Sequence, residues 1–561
     1  MKKKKSSIPP ASLAASDSDR LFHDMKMDAA RALAMDPQNV RALAQAIAST
    51  PTGTDPEPEP CELLAMTLDQ ARMAQEDGQH FGKQCLDALS DHLAALSANG
   101  TLTLGGSMAI TRCYVRAGLP VPESLAPDEQ AVLEETSAIS LGDHASPEAA
   151  FAAILDELVT SVGHDPSLLH QTFAEVLPGI PAPARRMLCA LAAANPDPRF
   201  EALACAWLLD PSEPVRDGAR EGLANRLAAG KLSAQALGRL AVLRTWITHK
   251  PTRQRVDTLI KSAIRTGLAP AQDAPPAPRI TGCVSSPIDG VGSQSLGIAL
   301  QKGRTRSIAT VLLKQGFGVK DAYLAPCANA AEQRDILRQI TFTAEKGDVS
   351  LAYVQSVLGL ALADGLANGV SPAPGLVDIV DACAIADLRP AEDASVQALL
   401  HRYDPEGALA SLDAETCERL VAASADWPAD YPVLASWLED NEALRNGTGS
   451  STARMDAVWA LLETRRTFWA TLVARTALLL KDRDDPLADS FAITAREMIN
   501  GLPLRQIPIM VAIMGQTLEP RYAAFPDLDD DVPEPSDEEI MVFLRDSMAT
   551  PPRKSASKKP K

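Results

Sequence analysis

RITGCVSSPIDGVGSQSLGIALQKGRTRSIATVLLKQGFGVKDAYL, residues Arg279–Leu324, is where helical patterning gives way to alternating, glycine-punctuated, β-branched sequence. Leu296, Ile298 and Leu300, then Ile308, Thr310 and Leu312, recur with the period of two that a strand with a buried face requires. Turns fall at Pro287–Gly292 and Lys302–Arg304, with Asp289-Gly290 the strongest signal. A fourth short strand or a helix start is expected after Gly316–Gly318. So small a sheet needs a helix layer behind it, and the sequence on both sides reads as short alanine-rich helices. The expected fold is therefore mainly α, a solenoid or bundle of short helices, with a small antiparallel β island near the middle.

The composition agrees. Aromatic residues make up 4% of the 561, so alanine and leucine supply the apolar surface, which suits close helix–helix packing. The 42 prolines fall mostly between apolar runs and set helix stops. The formal charge is −18, yet Lys2–Lys5 at one end and Arg553, Lys554, Lys558, Lys559 and Lys561 at the other are basic. The body between is more acidic than the whole and repels phosphate backbones, so nucleic acid is expected to be touched only through the tails. The 9 cysteines are an odd number without a CxxC pair, and Ser6–Arg20 contains no apolar run of the kind a leader carries. Both point to reduced thiols and a cytoplasmic setting. The longest apolar helix signal, Ala457–Leu480, is interrupted by Glu463, Arg465, Arg466 and Arg475, so no membrane span is expected.

Taken in order, the chain opens on a basic tail, 1–19, read as disordered. An N-terminal helical unit spans 20–130, with helices at about Asp19–Met35, Cys61–Glu76, Phe81–Ser97 and Leu104–Ala117. Its junction Asp36–Ala44, DPQNVRALA, resembles the inter-repeat turn of tetratricopeptide repeats, where Asp-Pro stops one helix and caps the next. Helical repeats follow over 146–268, with helices at Glu148–Val162, Pro166–Val176, Ala182–Ala194, Arg199–Leu209, Pro214–Ala229 and Ala234–Ile247. Within them Asp210, Val215, Arg216, Ala219 and Leu223 fall at the spacing of the HEAT repeat, which this stretch resembles. That resemblance implies helix pairs stacked into a curved slab that binds other macromolecules. After the proline-rich Leu268–Pro278 come the β island (279–326), a helical unit (327–410) and an aromatic-rich bundle (411–520). The bundle holds Trp427, Trp437, Trp459 and Trp469 and one long helix near Thr452–Lys481. A tail, acidic then basic, closes the chain (521–561).

Chemistry-bearing patterns are few. Gly290-x-Gly292 lacks the third glycine and following helix of a dinucleotide loop, and a hairpin turn explains it. Asp527, Asp529, Asp531 and Glu538 have calcium-loop spacing, but Val532 replaces the required glycine and Pro533 and Pro535 stiffen the segment. Cys85 and His92 share a helix face, with His80 near, but lack further ligands, so no metal site is assigned. Cys283 and Cys327 bracket the island and Ser285 and Ser286 sit at its first turn as nucleophile types, with no histidine between His249 and His401 to serve as a nearby base. Arg465 and Arg466 beside Phe468 and Trp469 read as core aromatics with flanking ion pairs. The run Gly447–Thr452 reads as a loop ending in a helix N-cap.

No catalytic constellation and no cofactor emerge. The leading expectation is a non-enzymatic scaffold or adaptor that binds a protein partner through its helical-repeat surface. The alternative is an enzyme or small-ligand binder with its site at the β island, and a third reading is weak nucleic-acid contact through the lysine-rich tails. The interaction residues picked out are Asp289, Gly290, Gly292, Gln294, Lys320 and Asp321 on the island and Arg216 in the repeats. The sequence sets no oligomeric state.

Overall fold

The computed structural model describes residues 17–51, 58–76, 79–125, 180–269, 278–341, 347–385, 388–440 and 450–519, with a few single positions between them. The helices expected at Glu148–Val162 and Pro166–Val176 lie almost entirely outside the described residues. So do the calcium-like spacing at Asp527–Glu538 and both basic tails. Of two compact units, Met1–Leu518 and Glu519–Lys561, the first carries everything below.

At its centre is an antiparallel meander in the order β1-β2-β3-β4: β1 Arg279–Ser285, β2 Ser293–Lys302, β3 Thr305–Lys314 and β4 Gly318–Cys327. The segment after Gly316–Gly318 is thus a full strand. Leu296 pairs with Val311 and Ile298 with Ala309, so the alternating trios of β2 and β3 point to opposite faces. One face, with Leu296, Ile298, Leu300, Ala309, Val311 and Leu313, packs on helices Leu351–Ala367 and Leu376–Ala382. The other, with Val284 and Ile308, is covered by Ile336, Leu337 and Ile340 of helix Ala330–Thr341. A sheet buried on both sides needs apolar residues at both parities, which is why β2 reads as a run rather than a clean alternation.

The core of the first face continues into five helices: Ala182–Ala194, Pro198–Trp207, Glu213–Ala228, Ala234–Leu243 and Lys250–Arg265. The last of them adds to the expected set. Pro251 sits in its first turn, where a missing N–H costs nothing, and Val256, Leu259, Ile260 and Ala263 form its buried stripe. Helices Ala182–Ala194 and Glu213–Ala228 touch backbone to backbone. A Cβ on Gly218 would lie 2.3 Å from the Arg186 carbonyl oxygen, and one on Gly222 2.3 Å from the Ala193 Cβ. Buried Arg226 donates to the Ala193 (2.7 Å), Asn195 and Asp197 (2.8 Å) carbonyls, closing the end of the first helix. Arg239 pairs with Asp378 (2.9 Å) and Asp381 (2.6 Å), tying the stack to the helix that covers β4.

The aromatic-rich bundle forms its own core around Trp427, Trp437, Trp459, Trp469 and Phe491. The long helix expected near Thr452–Lys481 is two, Ser451–Thr464 and Arg466–Asp482, broken at Arg465. At the break Arg465 has φ −102°, ψ 13°, and the carboxylate of buried Glu439 accepts from the Trp469 indole (2.9 Å) and pairs with Arg465 (3.1 Å).

Helices Asp17–Met35, Pro37–Ala48, Pro58–Glu76, His80–Ala98 and Leu104–Arg116 build the N-terminal unit around Leu64, Leu68, Leu89, Leu93 and Ile110. At Met35 the Asp36 side chain caps the next helix by accepting from the Gln38 N–H, with Pro37 in its first turn. This core is separate from the one around the sheet, and the two are joined through charge. The Glu76 carboxylate accepts from Arg72 (2.8 Å) on its own helix, from Lys314 (3.1 Å) on β3 and from Lys320 on β4. Gln79 donates to Asp440 alongside.

Two outcomes are expected. Gly222→Leu forces the two closest helices apart and is expected to lower stability by about 3 kcal/mol in urea unfolding. Gly238→Ala, where a Cβ meets nothing within 4 Å, is expected to be neutral or stabilising. For Glu76, burial acts to raise the carboxyl, but Lys320 and Arg72 outweigh it and hold the pKa below the ordinary value. A depressed pKa gives stability that is present above the unfolded-state value and lost as pH falls through the folded one. Glu76→Gln is expected to cost about 2 kcal/mol at neutral pH. Its deficit relative to wild type should shrink on acidification below about pH 4, read by thermal melts across pH.

Candidate functional site

The loop between β1 and β2, Ser286–Gly292, is pinned from three sides. Asp289 Oδ1 accepts from the Val291 (3.1 Å) and Ser293 (2.7 Å) N–H groups and closes the turn on itself, which is the local use Asp finds in turns. The Gly290 N–H donates to Ser436 Oγ (3.0 Å), and the Trp437 indole donates to the Ile288 carbonyl (3.1 Å). A Cβ at 290 would sit 1.9 Å from the Ser436 carbonyl oxygen, so only glycine lets this loop meet the aromatic bundle. Gly292 has φ +77°, and its carbonyl accepts from Gln315 N–H (3.1 Å) and from Arg475 (3.4 Å).

Behind the loop lies a buried polar chain. Gln294 donates to Ser285 Oγ (2.8 Å) and to the Tyr353 hydroxyl (2.7 Å), and its Oε1 accepts from Arg475 (3.4 Å). Burial pushes the Tyr353 hydroxyl up to about 12. Arg483, eight residues past Arg475, donates to the Ser285 carbonyl (2.9 Å). Burial lowers the pKa of both arginines, with Tyr353 opposing it in each case.

Asp289, Gly290, Gly292 and Gln294 are thus brought together at one end of the sheet, around Arg475. Lys320 lies apart from them, on Glu76, with its ammonium 5.0 Å from the Phe317 ring centre. Asp321 is exposed on β4 and accepts from the Ala322 N–H (2.8 Å). Arg216 stays in the helical stack, where it donates to the Asp210 (2.6 Å) and Pro211 (2.5 Å) carbonyls and closes an interhelical turn.

Of the nucleophile types, Cys283 is buried with its thiol pushed up to about 11. Ser285 and Ser286 spend their hydroxyls on the Ser286 and Pro287 carbonyls, each 2.8 Å away. Cys327 packs on the opposite face, against helix Ala330–Thr341. Cys85 is a core residue and His80 is exposed. Among the described residues no group of three or more His, Cys, Asp or Glu side chains is placed to hold a metal ion. Arg465 stacks 4.1 Å over the Phe468 ring and Trp469 is fully buried. Ser450 caps helix Ser451–Thr464, while 447–449 lie outside the described residues.

Several concavities adjoin these elements. A cleft of about 610 Å³ lies between the β3–β4 turn, helix Leu351–Ala367 and helix Arg466–Asp482, and Arg475 and Asp364 line it. A broader one of about 1240 Å³ lies across the β1–β2 loop, between residues 429–434 and the end of helix Arg466–Asp482, with Arg483 and Asp485 on its wall. A shallow groove of about 690 Å³ runs over helices Ala182–Ala194 and Glu213–Ala228. Arg475, Arg483, Tyr353 and Asp364 were not picked out from the sequence. The one signal for Arg475 is a charge set in the apolar run LVARTALLL, where a buried helix must supply it with partners.

The described helices include none long and apolar enough to cross a membrane. No solved structure matches the chain. Three family models match it in order: the N-terminal domain of uncharacterised protein y4lR over residues 3–122, the y4lR second domain over 181–267 and the y4lR C-terminal helical domain over 397–522. The uncharacterised protein y4lR of Sinorhizobium fredii is 29% identical over 480 residues, 84% of this chain and 90% of that protein. In three successive domains and along most of its length, this chain is recognisably similar to y4lR.

Proposed function

We propose that the chain is a non-enzymatic cytoplasmic scaffold whose stacked helices bind a protein partner. The observation behind this reading is the groove over helices Ala182–Ala194 and Glu213–Ala228. Pro183, Met187, Ala190 and Ala194 line one side at helical spacing, and Pro214, Asp217, Glu221 and Asn225 line the other. Met187 is 51% exposed, and Arg186 bridges the rim to Glu221 (3.2 Å). An apolar strip with a charged rim is the form that accepts a partner's apolar side chains while fixing its register. The HEAT-like spacing around Asp210–Leu223 supports the same reading, because stacked helix pairs leave such outer faces available.

The test is affinity capture with the full chain and with Met187→Glu, followed by titration of the captured protein. The expected result is a stoichiometric partner bound by wild type and weakened at least tenfold (about 1.4 kcal/mol) by Met187→Glu, with the melting temperature unchanged. A partner that binds Met187→Glu as tightly as wild type would show that the groove is not its surface.

A further inference from the structure

We infer that the cleft beside the β3–β4 turn binds a small amphipathic monocarboxylate, whose carboxylate is held by the Arg475 guanidinium. This site is separate from the helical groove.

Arg475 sits in the middle of helix Arg466–Asp482 and is directed at the end of the sheet. Its hydrogen bonds to Gly292 and Gln294 are both 3.4 Å, at the long limit for such contacts. Among the described residues no carboxylate lies within ion-pair distance of it. Asp364 and Asp289 act on it only from further away. A half-buried guanidinium with neutral, stretched partners lacks the ion pair that ordinarily compensates a charge drawn out of water. A planar carboxylate would supply it through two parallel N–H···O bonds.

The cleft around Arg475 fits the rest of such a molecule. Its volume, about 610 Å³, is in the range of small-molecule sites. Leu313, Val357, Leu360, Ala361 and Leu478 offer an apolar wall for a hydrocarbon or aryl body, and Thr471 stands on the wall formed by the arginine's own helix. Lys314, Arg466 and Asp364 also line the cleft. Lys314 is paired with Glu76 (3.1 Å) and Arg466 with Glu463 (2.7 Å), while Asp364 Oδ2 accepts from the Gly316 N–H (2.6 Å). Among the described residues Arg475 is thus the lining cation without an ion pair, and one such cation matches one negative charge better than the two of a phosphate monoester.

Calorimetric titration of the full chain with octanoate, 3-phenylpropionate, octyl phosphate and octanol tests the inference. Octanoate or 3-phenylpropionate is expected to bind, and octyl phosphate and octanol at least about tenfold more weakly. Arg475→Lys, which keeps the charge but not the fork, is expected to weaken the carboxylate about tenfold or more. Because Arg475 also supports Gly292, Thr471→Trp is the second variant: it fills the cleft from a partly exposed position and is expected to abolish binding at unchanged stability. Three results would each overturn the proposal: no carboxylate binding by wild type, octanol or octyl phosphate binding as tightly as octanoate, or full binding by Thr471→Trp.

Discussion

A four-stranded sheet has too little apolar surface to stand alone, and the arrangement of this chain follows from how that deficit is met. Residues of both parities on β2 and β3 are buried, one set under helices Leu351–Ala367 and Leu376–Ala382, the other under helix Ala330–Thr341. Covering both faces removes the sheet from water and extends one core from the stacked helices through the strands. The strand ends and their loops remain, and these are where the other parts of the chain attach. The β1–β2 loop meets the aromatic bundle, and β3 and β4 meet the N-terminal helices.

Those attachments are made largely by charge and hydrogen bonding. Glu76 gathers Arg72, Lys314 and Lys320, the Trp437 indole donates to the Ile288 carbonyl, and Arg239 spans Asp378 and Asp381. Buried ion pairs add little net stability compared with apolar packing, but removing one partner is costly. They therefore fix how parts join more than how firmly each part folds. Arg475 stands outside this set: among the described residues it has no ion pair, and it lines a cleft.

What could be read from the sequence was whatever is local. Asp36-Pro37 punctuates helices by its own chemistry, and the structure ends one helix and caps the next there. The island and its turns were readable because alternation and glycine act within a few residues. The opposite facing of the two trios was not, because register is set between strands. Nor was the break at Arg465, whose ion-pair partner, Glu439, lies well outside the helix. The end of the sheet was partly visible: Asp289, Gly290, Gly292 and Gln294 were picked out as interaction residues, though they line the broader concavity or its loop and not the cleft itself. The group that unites Gly292 with Gln294, Arg475, comes from more than 180 residues downstream (181 to Gln294, 183 to Gly292), and only the fold brings it there.

The sheet's place at the centre can be measured directly by native-state hydrogen exchange. Amides of β2 and β3 should exchange only through global unfolding, with protection equal to the full unfolding free energy of the unit, while the N-terminal helices open at lower cost. Strand amides that exchange faster than those of helix Arg466–Asp482 would show that the sheet is an accessory to the helices and does not organise them.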